Sequence, residues 1–182
     1  MNSRSKGNRN ERVAAKLVSE WTGRKFERTP SSGGLQWKAS FSKGDIVCTK
    51  EGHFFPFCLE VKAHREIDFS HLLNPKIKNV KIMEFWAQCR RDAKKCGKVP
   101  MLLMRYNGLP SEFFFLALPT SFEAKIIGFP RLDLPYFLRY KSKYNSDNIT
   151  IFRSPDFFQL PYKDIKQLAK TYLNGQKEKN TR

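Results

Sequence analysis

The sequence predicts an α/β fold in which helices flank a mixed central sheet, followed by a C-terminal extension. Two short continuous apolar runs, "VPMLLMRY" at 99–106 and "EFFFLALP" at 112–119, are typical of central strands covered on both faces. The patterns follow one another as helix, strands, helix, strands, which favours helices packed on a single sheet. The length of 182 residues suits one domain with an appended element.

The first expected elements are a flexible basic arm (1–7), a helix starting at about residue 8 or 10 and ending at 22, and a short strand in the first part of "KFERTPSSGGLQWKASFSK" (25–43), before a turn or loop at 30–34. Strands at 45–50 and 54–62, a helix at 79–96 and strands at 99–106 and 112–119 follow. The last are a strand in "NITIFRS" (148–154) and a helix at 162–173. The corresponding domain organisation is the arm (1–7), a core (8–119), an extension packed on the core (120–174) and a basic tail (175–182).

Local patterns justify these elements. Val13, Leu17 and Trp21 recur at four-residue spacing before Gly23, which ends the first helix. The strands at 45–50 and 54–62 are joined at residues 51 and 52, where Gly52 supplies the positive φ of a tight hairpin turn. The second helix carries an apolar stripe and ends at a glycine. The stripe consists of Ile82, Trp86, Cys89, Ala93 and Cys96.

The charge of the chain indicates a polyanionic partner. Lys and Arg number 34 against 17 Asp and Glu, so the net charge is +17 and the pI is near 9.9. Such an excess repels itself unless a polyanion offsets it, and nucleic acid is the leading class. A membrane surface is the competing polyanion. No stretch approaches the roughly 18 apolar residues of a spanning helix, and we expect a soluble, cytoplasmic protein, in the host cytoplasm if it is phage-encoded.

The cysteine pattern argues against disulfides and zinc. The four cysteines are scattered and form no Cys-x-x-Cys pair. We expect all four to be small buried side chains in a reducing compartment. They are Cys48, Cys58, Cys89 and Cys96.

The segment "GDIVCTKEGHFFPFCLEVKAH" (44–64) concentrates the candidate catalytic residues. On a strand, Glu60 and Lys62 share one face with Cα atoms roughly 6.6 Å apart, while Val61 points to the opposite layer. Asp45 opens the partner strand, and the hairpin brings it toward the far end of the second strand. Two carboxylates make a hard oxygen site suited to Mg²⁺. A neighbouring lysine can orient a water or stabilise charge on a phosphate.

The acid-x-Lys pattern alone carries little information because it occurs four times. The four pairs are Glu60/Lys62, Asp92/Lys94, Glu123/Lys125 and Asp164/Lys166. Two of them fall on predicted helices, where residues two apart face different directions. Glu123/Lys125 follows a proline-ended strand and has no Gly-Asp upstream. Only the pair at 60 and 62 combines an apolar strand, a hairpin and an upstream aspartate.

Glu11 offers a further carboxylate. It shares a helical stripe with Ala14 and Val18, which would turn the acid toward the sheet. The alternative is that an acid in the first helical turn simply favours the helix dipole. The spacing leaves both interpretations open.

Together these segments resemble a known family. The ordered combination consists of Glu11, "RTPSSGG" (28–34), "GDI" (44–46) and "EVK" (60–62). Over roughly residues 5–107 the chain resembles the archaeal-type Holliday junction resolvases and their phage relatives in the PD-(D/E)XK nuclease superfamily. The resemblance implies a restriction-endonuclease-like fold. The superfamily's proline before the aspartate is Gly44 here, and the chain after about residue 110 has no alignable counterpart in the family.

The resemblance also implies roles for individual residues. Asp45 and Glu60 would ligate Mg²⁺, with Mn²⁺ able to substitute, and the backbone carbonyl of Val61 is a further candidate ligand. Lys62 would position the water or the phosphate, and Glu11 would complete the acidic cluster directly or through water. Ser31 and Ser32 would contact the scissile DNA backbone.

Basic residues outside this cluster are candidate DNA contacts. Residues 1–43 and 74–105 each carry an excess of +7. The candidates are Lys6, Arg9, Arg28, Arg90 and Arg91. For Arg28 and the 90–91 pair, a solvated surface charge is the competing interpretation. Gln88, one turn from Phe85, either supports the site or is an ordinary polar residue at the core edge.

Three functional hypotheses follow. The first is a metal-dependent endonuclease on branched DNA of the Holliday junction resolvase type, acting as a homodimer because a four-way junction needs two symmetric cuts. The second keeps the fold but acts on flaps, ends or specific duplex sites. The third is a non-catalytic DNA-binding or packaging protein, in which the acids are ordinary strand-end charges.

Overall fold

The computed structural model describes residues 3–29, 44–49, 52–65, 67–73, 80–127, 136–140 and 148–180. The helices of this part of the chain are α1 (Ser3–Thr22), α2 (Ser70–Leu73), α3 (Lys81–Lys95), α4 (Thr120–Ile127), α5 (Ser154–Phe157) and α6 (Tyr162–Asn180). The strands are β1 (Phe26–Arg28), β2 (Ile46–Cys48), β3 (Phe57–Ala63), β4 (Val99–Arg105), β5 (Phe115–Pro119), β6 (Tyr136–Tyr140) and β7 (Ile149–Arg153).

The strands within these ranges form one seven-stranded sheet in the order β1-β2-β3-β4-β5-β7-β6. β3 and β4 run parallel and are connected by a crossover through α3, whereas the other neighbouring pairs are antiparallel. A parallel pair needs such a crossover because its strands begin at the same edge. The mixed sheet with flanking helices confirms the predicted fold class and is consistent with a restriction-endonuclease-like fold.

Each face of the sheet packs against its own helices. A hydrophobic core lies on each face of the sheet, and alternate residues of β4 point into one or the other. Leu103 points into the first core, which is shared with α1, α4, α5 and α6, and Leu102 points into the second core, which is shared with α3. On β3, Leu59 and Val61 belong to the first core. The alternation therefore leaves Glu60 on the side of α3, in a strand that is apolar apart from Glu60 and Lys62. Burial on both faces explains the continuous apolar runs of the central strands.

Both terminal helices are longer than the sequence predicts. α1 begins at Ser3, so residues 3–7 of the expected flexible arm are helical, and α6 continues through Gly175 to Asn180 into the expected tail. An added Cβ at Gly7 or Gly175 would meet nothing within 4 Å. A single glycine costs a helix only about 1 kcal/mol relative to alanine. That cost is too small to end a helix whose neighbouring residues favour it.

The region after β5 joins the same sheet. The predicted strand at 148–154 is β7, and it pairs with β5 from Phe115↔Arg153 to Pro119↔Ile149. The sequence does not predict three elements of this region, α4, β6 and α5, or the helix α2 that precedes α3. All four are short, and short elements give weak periodic signals. The division into a core and an extension remains a prediction.

Trp21 connects the first helix to the C-terminal segment. Its indole Nε1 donates a hydrogen bond to the carbonyl of Leu160 at 2.8 Å. Its ring packs against Phe57 of β3 and against Phe157 and Tyr162, with centroid separations of 6.3, 5.6 and 5.0 Å. One aromatic side chain thus ties α1, the central sheet and α6 together.

The cysteines differ in part from the expectation. Cys58 and Cys89 are buried, whereas Cys48 and Cys96 are only half-buried, and none of the four forms a disulfide. Cys48 lies on the short strand β2 and Cys96 follows the end of α3, where packing is less complete. Among the described residues, no helix combines the length and apolarity that a membrane crossing needs.

Candidate active site

The pairing of β2 with β3 brings Asp45 next to Glu60. Ile46 is in register with Leu59, and the Asp45 N–H donates to the Leu59 carbonyl at 2.8 Å. The backbone N–H of Val61 in turn donates to Asp45 Oδ2 at 2.8 Å. The carboxylate of Asp45 is therefore held against β3 by the strand that carries Glu60 and Lys62.

Gly44 makes this close approach possible. Its φ is +114°, and an added Cβ would lie 2.5 Å from the carbonyl oxygen of Leu59. Thr29 holds the same residue from the other side, because its Oγ1 donates to the Gly44 carbonyl at 2.8 Å. Proline fixes φ near −65° and cannot adopt this conformation. The superfamily's proline would therefore not fit the backbone conformation that Gly44 has at the start of β2.

Glu60 is held in place by two donors. Only 3 % of the residue is exposed, and its Oε1 accepts hydrogen bonds from Lys62 Nζ at 2.6 Å and Gln88 Nε2 at 2.8 Å. The Lys62 ammonium also lies 5.7 Å from the centroid of the Phe85 ring. Both bonds converge on one oxygen, and Oε2 has no hydrogen-bond partner among the described residues.

The pKa of Asp45 is raised from 3.8 to about 7. Burial is the largest cause, and the neighbouring charge of Glu60 is the second, while the Val61 N–H and the charge of Lys62 act in the opposite direction. Glu11 adds a smaller repulsive contribution. Two carboxylates that resist simultaneous ionisation form a site that a cation would stabilise.

The donor set fits a hard divalent cation. Asp45 Oδ1, like Glu60 Oε2, has no hydrogen-bond partner in the described part of the chain, so each carboxylate keeps one open oxygen. Mg²⁺ favours one or two carboxylates together with waters and substrate phosphate. Within the described ranges, no three His, Cys, Asp or Glu side chains lie close enough to hold a metal ion between them. Asp45 and Glu60 therefore fit as a two-carboxylate site.

Glu11 reaches toward the sheet and pairs with Arg28. Its Oε2 accepts a short hydrogen bond from Arg28 Nε, and both side chains are about one-fifth exposed. Because α1 begins at Ser3, Glu11 lies more than two turns inside the helix. The interpretation as a first-turn acid that favours the helix dipole is therefore wrong. The solvated-charge interpretation of Arg28 is wrong as well, since its side chain is four-fifths covered and is paired with Glu11.

The remaining predicted DNA contacts lie in separate places. Arg9 is exposed on α1. Burial lowers the pKa of Arg105, and the nearby charge of Arg9 lowers it further. Lys6 lies within α1. Ser31 and Ser32 fall outside the described residues. Arg90 and Arg91 lie on α3 and line a groove that does not include Asp45 or Glu60.

Gln88 belongs to the site, whereas the sequence left its role open. The sequence feature that points to Gln88 is its position one turn from Phe85, on the flank of the buried stripe of α3. That flank contacts Glu60 of β3. The sequence does not predict that Gly44 and Thr29 support the approach of β2 to β3. A contact between residues distant in sequence leaves no periodic signal, so neither role was readable from the chain.

The comparison with known families agrees with this geometry. Residues 2–127 match the family described as "Phage putative PDDEXK endonuclease". The chain belongs to that family. The matched segment contains Glu11, Asp45, Glu60 and Lys62 and ends with α4, so this PDDEXK family member carries β6, β7, α5 and α6 beyond the family's common part.

A curated relative matches part of the chain. Protein D14 of Escherichia phage T5 is 31 % identical over 107 residues, which cover 58 % of this chain and 65 % of that protein. The match thus spans slightly less than two thirds of the relative's length. No solved structure matches the chain significantly.

Proposed function

We propose that this protein is a metal-dependent endonuclease that hydrolyses phosphodiester bonds in branched DNA, of the Holliday junction resolvase type. The observation that carries the proposal is the convergence of Asp45, Glu60 and Lys62 on one edge of β3, within a chain of the PDDEXK family. The net charge of +17 supports a polyanionic substrate.

The two carboxylates would hold the metal through their open oxygens. Mg²⁺ is the proposed ion and Mn²⁺ the proposed substitute, since nucleases of this superfamily generally use divalent metals. A metal bound there supplies Lewis acidity toward a phosphate oxygen and lowers the pKa of a coordinated water. Val61 fixes Asp45 through its N–H, and its carbonyl remains a proposed further ligand.

Lys62 and Gln88 both bind the carboxylate of Glu60, and we assign them different roles. The side chain of Lys62 is 24 % exposed, and its ammonium is bonded to Glu60. We assign it to holding the attacking water or a phosphate oxygen, where a positive charge stabilises the charge that develops in the transition state. Gln88 is a positioning residue, because its amide donates a hydrogen bond to the carboxylate of Glu60 and fixes its orientation.

Other basic side chains would hold the DNA strand that is cleaved. Arg9 lies near Arg105, and Arg28 lies beside Glu11. We propose that these residues, with Lys6, Ser31 and Ser32, contact the backbone of the strand to be cut. Such contacts position DNA without reading its sequence.

The proposal of branched DNA rests on the ordered motifs that resemble archaeal-type resolvases. Resolution of a four-way junction needs two symmetric cuts, so we also propose a homodimer with two sites, since C₂ is the commonest closed symmetry. Measuring the mass of the protein in solution, alone and with a junction, tests this part. A complex with one protomer per junction would contradict it.

Cleavage assays test the central proposal. A four-way junction, a flap and a linear duplex are incubated with the protein and Mg²⁺, and initial rates are compared. We expect the junction to be cut fastest, and Asp45→Asn and Glu60→Gln to slow cleavage by about a hundredfold or more, because each removes a charged metal ligand. Asp164→Asn is the matched control, since Asp164 belongs to the acid-x-Lys pair on α6, and it should cut at the wild-type rate.

Each contrary result has a definite meaning. Unchanged cleavage by Asp45→Asn or Glu60→Gln would reject the assigned site. Equal rates on the three substrates would reject junction preference and leave a nuclease of broader specificity. Salt-sensitive binding with no cleavage in Mg²⁺ or Mn²⁺ would identify a DNA-binding protein without catalytic activity.

A further inference from the structure

A groove of about 820 Å³ lies between α3 and the pair formed by α4 and α6. Pro100 at the start of β4 and Pro119 at the end of β5 border it where the two strands lie side by side. β3 runs parallel to β4, and Lys62 lies near the end of β3. The groove is therefore at the opposite end of the sheet from Lys62. We refer to it as the α3–α6 groove.

One wall of the α3–α6 groove is basic and the other is neutral. The basic wall is formed by the cationic side chains of α3 and the turn after it. These are Arg90, Arg91, Lys94 and Lys98. The neutral wall carries hydroxyl and amide groups of Ser121, Asn148, Tyr172 and Gln176. Among the described residues, no acidic side chain lines the groove.

The helix α3 separates this groove from the candidate active site. Its buried stripe, which includes Trp86 and Cys89, faces the sheet. At about 100° per residue, Gln88 lies on the flank that contacts Glu60. Arg90 and Lys94 lie on the other flank. A chain bound along the cations therefore does not pass through the two carboxylates.

The neutral wall is ordered in advance. The Tyr172 hydroxyl and Ser121 Oγ form a hydrogen bond of 2.9 Å, which links α6 to α4. The Tyr172 ring also packs on Phe122, with centroids 5.4 Å apart and an angle of 80° between the rings. A fixed aromatic ring beside a cationic wall is the combination with which proteins hold single strands, by stacking and by phosphate contacts.

We propose that the α3–α6 groove binds a single DNA strand by its phosphate backbone, separately from the strand held at Asp45 and Glu60. The inference rests on the proposed function in taking DNA as the polyanion. The volume falls in the range of a small-molecule pocket, and we therefore assign the groove to one strand in preference to a duplex. In this proposal the groove holds an unpaired strand of a branched substrate, such as the strand of a flap, and Arg90 and Arg91 contact that strand.

A binding experiment tests the groove independently of cleavage. Proteins carrying Asp45→Asn are titrated in EDTA with a fluorescent 20-residue oligothymidylate, and anisotropy is recorded at several salt concentrations. Adding Arg91→Gln and Lys94→Gln should weaken binding about tenfold at low salt. The slope of log affinity against log salt should become shallower by about 1.4, because two phosphate contacts are lost.

The matched control removes the same charge elsewhere. Lys163→Gln with Lys170→Gln lies on α6 and does not line the groove, so its affinity should equal that of the parent. Equal affinities for the groove and control variants would overturn the proposal, as would tighter binding of a 20-base-pair duplex or of oligouridylate than of oligothymidylate.

A second measurement needs no variant of the groove. An oligonucleotide with photoreactive bromouracil is crosslinked to the parent protein and the modified peptides are identified. Crosslinks at Tyr172 or its peptide are expected, and crosslinks confined to the β2–β3 region would overturn the proposal. Failure of the proposed function would instead show as uncut junctions with strand binding in the groove intact.

Discussion

At the scale of single residues, the surroundings of Asp45 oppose the ionised form of its carboxyl. Its carboxyl is covered by the sheet and lies beside Glu60, so burial and like charge both oppose ionisation. The hydrogen bond from Val61 and the charge of Lys62 offset this only in part. A half-buried aspartate that lies beside a buried glutamate and has no ion-pair partner among the described residues is typical of functional sites.

The shifted pKa of Asp45 makes stability depend on pH in the absence of metal. The unfolded carboxyl titrates near 3.8 and the folded one near 7, so the folded protein binds the extra proton between these values. Stability of the wild type should therefore fall as pH rises from about 4 to about 7. Asp45→Asn avoids this loss and should be more stable above pH 7, by about 2–4 kcal/mol.

Urea unfolding in EDTA at pH 4 to 9 measures the difference. The advantage of Asp45→Asn should nearly vanish at pH 4 and be largest above pH 7. Asp164→Asn is the control, and its difference from the wild type should change little across the range. An advantage of Asp45→Asn that grows toward low pH would contradict the assigned direction of the pKa shift.

At the scale of elements, a second buried acid has a structural explanation. Glu123 of α4 is 2 % exposed, and its carboxylate accepts hydrogen bonds from Arg139 Nε of β6 at 3.0 and 3.1 Å and from Thr150 Oγ1 of β7 at 3.1 Å. Three elements are thus joined through one carboxylate. The pair Glu123/Lys125 therefore shares the acid-x-Lys pattern without forming a metal site.

Removal of Arg139 should destabilise these elements. Arg139→Ala leaves the Glu123 carboxylate buried without its cation, and we expect a loss of about 2–4 kcal/mol in the free energy of unfolding. Lys125→Ala is the control on the exposed side of α4, with an effect within about 0.5 kcal/mol. Chemical unfolding measures both, and equal losses would show that the ion pair contributes nothing specific.

At the scale of the whole molecule, the sheet extends beyond the part that the family shares. The family match ends at residue 127, yet β7 pairs with β5 and α6 covers the same core as α1. Phe152, Phe157 and Ile165 are fully buried in that core. The C-terminal elements thus contribute to the packing beneath the strand that carries Glu60.

We therefore expect residues 1–127 alone to fold poorly. Truncation exposes β5 along its edge and uncovers the apolar faces of α1 and α4, including Trp21 and Phe122. Thermal melting by circular dichroism should show one cooperative transition for the full chain and none for the truncated chain. A deletion of 177–182 only is the control and should melt like the full chain. Cooperative melting of 1–127 would show that the extension is dispensable.

The sequence by itself determined the α/β class, the strands with their apolar runs, and the group formed by Asp45, Glu60 and Lys62. These features follow from periods of 2 and 3.6 residues and from motif order, which are local properties of the chain. The limits of α1 were not determined in this way, because residues 3–7 carry no apolar period although they tolerate a helix.

Only the tertiary structure decided which partners the key side chains take. Gln88 meets Glu60, Arg28 pairs with Glu11, and Gly44 allows β2 to approach β3. It also separated Arg90 and Arg91 from the carboxylates by placing them on the far flank of α3. These outcomes depend on how helices dock on the sheet. Docking is set by contacts between residues far apart in sequence, and no local spacing encodes it.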